Sequence, residues 1–237
     1  MSRLKVLAVR SLLAWCGLFA IQARVVGQGQ QSPNTPQTSN PAFVDVEDDP
    51  ALPHVLLIGD SISIGYTLPT RKLLLGQANV HRIPVNGGPT INGLENLDRW
   101  LGRRKWNVIH FNWGLHDLRF MEDGTHQVSI DKYAENLRGL VGRLKQTGAA
   151  LIWASTTPVP DADVTPPRKN SDVIAYNAVA RRIMEENGIP IDDLYPVALS
   201  RLGEIQRPAN VHYTDPGYEV LAESVAASIR AALGSHR

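Results

Sequence analysis

Two residues in this chain have the types and settings that nucleophilic catalysis uses. Ser61 follows Gly59 and Asp60 at the end of an apolar run in "HVLLIGDSISIG", and His212 stands just before a Pro-Gly turn in "ANVHYTDPGY". A hydroxyl at the start of a helix sits among backbone N–H groups that have no helical acceptor, and these can stabilise a developing oxyanion. Asp60 can accept N–H bonds in the same turn. An Asp-Ser helix cap explains that stretch equally well, and a lone loop histidine is more often inert. "NGGPTINGL" (86–94) adds Gly87 and Gly88, whose small size lets backbone approach a ligand and offer an amide. "FNWGLHDL" (111–118) adds His116, a side-chain N–H donor, and Asp117, a turn or cap acceptor.

These stretches need elements to hold them. Short apolar runs at 54–59, 79–85, 106–114, 149–158 and 188–195 read as strands. Helical spacing fills 91–103, 129–147 and 171–187, and a last helix at 216–233 follows Asp215 as cap and Pro216 at its first position. Strand alternating with helix predicts a parallel five-stranded sheet with helices on both faces. Ligand sites in such folds lie beyond the carboxyl ends of the strands, where every stretch above falls. The polar, proline-rich connection at 156–172 is either a wall of the substrate cleft or a solvated link. Trp113 and Trp153 read as core, with the edge of the cleft a second option for Trp113.

Residues 1–27 combine Arg3, Lys5 and Arg10 with the apolar "SLLAWCGLFAIQA", the pattern of a secretory signal peptide. An uncleaved N-terminal anchor is the alternative, although the apolar run falls short of the ~20 residues that span a bilayer comfortably. Cleavage would remove Arg3, Lys5, Arg10 and Arg24 and no acid, turning a formal +1 into −3. It would also remove Cys16, the only cysteine, so no internal disulfide is expected. The expectation is an exported protein, periplasmic or extracellular in a bacterial-type envelope, with no stable membrane insertion after cleavage. No basic patch suggests nucleic acid. Residues 28–50, rich in Gln, Ser, Asn, Pro and acids, read as a flexible polar linker, which leaves 51–237 as one domain. No histidine pair has metal-ligand spacing, and "GDSISIG" lacks the glycines and Lys of a phosphate loop, so neither metal nor cofactor is expected.

Taken in order, "GDSIS" (59–63), "NGGPT" (86–90), "GLHD" (114–117) and "ANVH" (209–212) resemble the four blocks of the SGNH/GDSL hydrolases. The resemblance spans 54–234 and implies a flavodoxin-like α/β fold and ester hydrolysis through an acyl-enzyme. It implies Ser61 as nucleophile with its own amide in the oxyanion hole, and Gly87, with Gly88 as fallback, as a second donor. His116 takes the place of the family's oxyanion Asn, and His212 that of the general base. Two positions depart from the pattern. His116 can still donate an N–H, but Ala209 removes the acid expected three residues before the base. Asn210, a backbone carbonyl or Asp215 are the candidates to orient His212, with Asp215 better explained as a helix cap. The substrate implied is a small ester or an acylated glycan. The contrasting expectation is a catalytically silent module that keeps the fold and binds a ligand or glycan.

Overall fold

The computed structural model describes residues 40–235. The leader at 1–27 and the first part of the expected linker, 28–39, lie outside the described residues. The chain alternates as expected: β1 (His54–Ile58), α1 (Ser61–Leu73), β2 (Asn79–Arg82), α2 (Thr90–Leu101), β3 (Val108–Phe111), α3 (Ile130–Lys145), β4 (Ala150–Ala154), α4 (Asn170–Glu186) and β5 (Ile191–Asp192). Two short helices that periodicity did not reveal follow, α5 (Leu194–Leu199) and α6 (Leu202–Ile205), before the long α7 (Asp215–Ser235). Six and four residues hold too few turns for a helical pattern to declare itself.

All strand pairs are parallel, in the order β2-β1-β3-β4-β5. The order reverses between β1 and β3, which opens a crevice at the carboxyl ends of those two strands. Residues 55–58 of β1 and all of β3 are buried, as strands covered on both faces must be. Trp113 and Trp153 are in the core, so Trp113 does not edge a cleft. Helix α1 packs on α7, while α2, α3 and α4 pack in sequence. Where α1 meets α7, a Cβ on Gly65 would run into the Tyr218 ring. That close approach brings the helix beginning at Ser61 against the helix that follows His212.

The linker expected to end at residue 50 is docked from residue 40 onward. Ala42 is buried, and the Arg82 guanidinium lies 4.9 Å over the Phe43 ring. Asn79 donates to the Asp49 carbonyl at 2.8 Å and accepts the Asp49 N–H at 3.0 Å. The acids of "VDVEDD" meet a basic edge, with Asp45 and Asp48 bridged to the two ring nitrogens of buried His81 at 2.8 and 2.7 Å. Composition suggested a tether because these contacts lie across the sheet rather than within the segment.

Candidate active site

The turn after β1 is built by Asp60. Its side chain caps α1 by accepting the Ile62 N–H at 2.9 Å, and it is itself almost wholly buried. Ser61 is therefore the first helical residue, and its own N–H has no intrahelical acceptor. Behind the turn, Arg82 of β2 donates to the Gly59 carbonyl at 3.2 Å and to Ser63 Oγ at 3.3 Å. Burial holds its guanidinium down at about 10, still charged at neutral pH. Sequence reasoning passed over Arg82, although a charged residue inside the apolar pattern of "NVHRIPV" was a visible signal.

His212 sits on a hairpin that closes between Gln206 and Tyr213. Its carbonyl accepts the Arg207 N–H at 2.9 Å, and Thr214 N–H bonds the Ile205 carbonyl at 2.9 Å. His212 Nε2 lies 2.8 Å from Ser61 Oγ. On the other side of the ring, Nδ1 lies 2.7 Å from Asn210 Oδ1, which also accepts the His212 backbone N–H at 3.0 Å. With Nδ1–H donating to an amide oxygen, Nε2 is the acceptor presented to the serine. Ala209 makes the arrangement possible by adopting a left-handed φ of +48°, a turn that folds Asn210 back beneath the ring. Asp215 opens α7 as an exposed residue of its first turn. Desolvation lowers the His212 pKa from its usual value, against an opposing pull from Asp60, so the ring is neutral and basic at pH 7.

His116 lies on the loop after β3, close enough for the charges of Asp60 and His212 to act on it. Burial lowers its pKa too, which keeps one N–H on a neutral imidazole that can donate to an oxyanion. The block-two glycines behave differently from expectation. Gly87 N–H donates to the Gly59 carbonyl at 3.0 Å, and Gly88 N–H to Asn86 Oδ1 at 3.0 Å, so neither amide is left for an oxyanion. What Gly87 provides is proximity, since a Cβ there would lie 3.0 Å from the Gly59 oxygen. Asp117 is a clamp on the same loop pair. Fully buried, it accepts Thr90 N–H at 2.9 Å and Thr90 Oγ at 2.5 Å, and Asn136 reinforces Thr90 at 3.0 Å. Desolvation pushes its carboxyl up to about 7.

Residues 57–220 match the model of the GDSL-like lipase/acylhydrolase family. The chain belongs to that family. It is accordingly an ester hydrolase, and the sheet order above is its fold. Solved structures resemble it at low identity. The lipase/acylhydrolase of Enterococcus faecalis is 20% identical with a TM-score of 0.65, covering 76% of this chain and 96% of that one. A putative acylhydrolase from Bacteroides fragilis is 18% identical with a TM-score of 0.66, covering 86% and 100%. An acetylxylan esterase from Geobacillus stearothermophilus is 19% identical with a TM-score of 0.61, covering 75% and 94%. No curated protein matches the chain.

Among the described residues one group of metal-ligating side chains does assemble, well apart in sequence: Asp48, His54 and His81. Spacing alone concealed it, because the three come from the docked N-terminal segment, β1 and β2. Arg104 already donates to Asp48 and reaches within 3.1 Å of His81 Nε2. A guanidinium thus stands where a cation would, and the cluster reads as an ion-paired clasp on residues 45–48. Among the described residues no helix is long and apolar enough to cross a membrane.

Proposed function

We propose that this protein is an exported serine esterase that uses Ser61 as nucleophile and His212 as its base, with Asn210 orienting the base. The observation that carries the reading is the unbroken chain Ser61 Oγ, His212 Nε2 at 2.8 Å, and Asn210 Oδ1 at 2.7 Å from Nδ1. In the first step Ser61 Oγ bonds to the acyl carbon as its proton passes to His212 Nε2. The carbonyl electrons move onto oxygen, where the Ser61 N–H and the His116 ring N–H are the donors. Collapse of the tetrahedral species breaks the ester bond, and His212 returns the proton to the departing alcohol. A water then repeats the sequence on the acyl-enzyme, releasing the acid and restoring Ser61. Asn210 holds the tautomer as a carboxylate would, but it adds no charge to stabilise the imidazolium. The site therefore works as a supported dyad, slower than an acid-bearing triad on an equal substrate.

An O-acetyl group on a glycan is the substrate we favour. The acetylxylan esterase name belongs to a structural neighbour and supports the choice by analogy of fold. The basic, apolar leader supports export. The test is hydrolysis of 4-nitrophenyl acetate together with labelling by a fluorophosphonate. Turnover and a stoichiometric adduct, both lost in Ser61→Ala, are expected. A silent binding module, the reading favoured by Ala209 and the occupied Gly87 amide, would give neither.

A further inference from the structure

Arg168 stands at the junction between the site and the long loop after β4. Its Nε donates to the Leu115 carbonyl at 2.7 Å, immediately before His116, and its Nη1 donates to the Pro166 carbonyl at 3.0 Å. Of the five N–H groups on a guanidinium these bonds use two, so the fork is fixed in plane with three donors left over. The side chain is half-buried, so the remaining donors are open to water or to a ligand. Arg168 also lines a cleft of about 1010 Å³ formed by Phe120 and residues of the 160–171 loop. Lys169, 5.1 Å over the Phe120 ring, stands beside it. Asp161 and Asp163 line the same cleft but are exposed, where water screens them.

Three arginines and one acid set the charge around the two histidines. Arg168 and Arg119 act on His116, and Arg168 and Arg207 act on His212, against Asp60 as the one acid acting on both. A chain that carries a formal −3 beyond residue 27 thus concentrates cations at its reacting edge. That edge would attract a substrate carrying a carboxylate as well as stabilise the oxyanion that every ester develops.

We propose that Arg168 is a specificity-determining residue that binds a carboxylate borne by the ester substrate, so that the preferred substrate is an acidic ester such as an acetylated uronide. This inference rests on the esterase reading above. The carboxylate can come from the alcohol side, as in a uronide, or from the acyl side, as in a dicarboxylic half-ester. A pinned fork recognises either by charge-assisted hydrogen bonds.

The experiment compares kcat/KM within two substrate pairs, using the full-length protein. One pair is an O-acetylated methyl glucuronoside against the matching O-acetylated methyl glucoside. The other is 4-nitrophenyl hemisuccinate against 4-nitrophenyl butyrate. The wild type should favour the acidic member of at least one pair, and which pair responds identifies the side. In Arg168→Gln that preference should fall at least fivefold, while Arg168→Lys, which keeps the charge and loses the fork, should retain part of it. Because the readout is a ratio, general damage from freeing the Leu115 carbonyl cancels. A wild type that favours the neutral member of both pairs overturns the proposal, as does a ratio that falls less than fivefold. Equilibrium binding of the two glycosides to Ser61→Ala, with and without Arg168→Gln, reads the same preference without turnover. If no ester is hydrolysed, the esterase reading fails, and this binding ratio still decides the role of Arg168 by the same fivefold criterion.

Discussion

Among the described residues two clusters join serine, histidine and an orienting oxygen, and they are wired in opposite order. At the sheet edge the histidine is central, with Ser61 Oγ at 2.8 Å on one nitrogen and Asn210 Oδ1 at 2.7 Å on the other. In the core the acid is central. Asp192 accepts Ser224 Oγ at 2.6 Å on one oxygen and bonds His110 Nε2 at 2.9 Å on the other. The core cluster has the carboxylate that the edge cluster lacks, yet its hydroxyl faces the acid and its histidine is fully buried. The proposed mechanism needs a base standing between hydroxyl and support, at a place substrate can reach. The mere presence of the three residue types does not supply that arrangement.

The largest expected effect breaks the comparison at the edge. Ser61→Ala should lower kcat by about 10⁴-fold or more while leaving thermal stability nearly unchanged. Ser224→Ala should do the reverse, measured by ester hydrolysis alongside calorimetry. Next, Asp192→Ala would leave His110 and the Ser224 hydroxyl without their acceptor. It should cost about 2–4 kcal/mol in chemical denaturation, a loss that Asn210→Ala should not approach.

A smaller change would make the edge cluster resemble the core in charge. Asn210→Asp gives the His212 Nδ1–H an anionic acceptor and should raise kcat by about tenfold, on the logic that an amide in place of a triad acid is costly. It should also move the acidic limb of the pH profile upward. That limb reports His212 gaining a proton and losing its function as base. Since burial sets the His212 pKa below its usual 6.5, the limb over which the wild-type rate climbs with pH should lie below 6.5. A wild-type limb above 6.5 would contradict the burial argument.

A separate effect, on stability against pH, concerns Asp117. Its folded pKa of about 7 lies above the ordinary 3.8, so folding favours the protonated form. Its contribution to stability is complete below about pH 4 and is lost as pH rises toward 7. Asp117→Asn should flatten that part of the stability–pH curve, as followed by denaturant midpoints across pH 4–8.

Much of this protein was legible along the chain. Strand–helix alternation placed Ser61, His116 and His212 beyond strand ends, because a parallel sheet covered on both faces imposes near-continuous apolar runs with polar loops between them. The leader pattern at 1–27 lies outside the described residues and stays a reading of the sequence. Docking of residues 40–50 was not legible, since its partners His81, Asn79 and Arg82 belong to a strand far along the chain. Arg82 could have been noticed as a charge in an apolar strand, whereas nothing local marked Arg168 among the polar residues of its loop.

By itself, then, the sequence determined the family and the order of elements, and it singled out the serine and the histidine on which the proposed mechanism rests. Tertiary structure decided what supports them. Ala209 had to turn left-handed before Asn210, and not Asp215, could meet His212 Nδ1. Gly87 had to lie against Gly59 before its amide was taken, which leaves the oxyanion to Ser61 and His116 in the proposed mechanism. Residue type and periodicity follow from which face is buried and can be read in one dimension. A hydrogen bond is made or lost within about half an ångström, and that distance is set only when separate loops converge on one sheet edge.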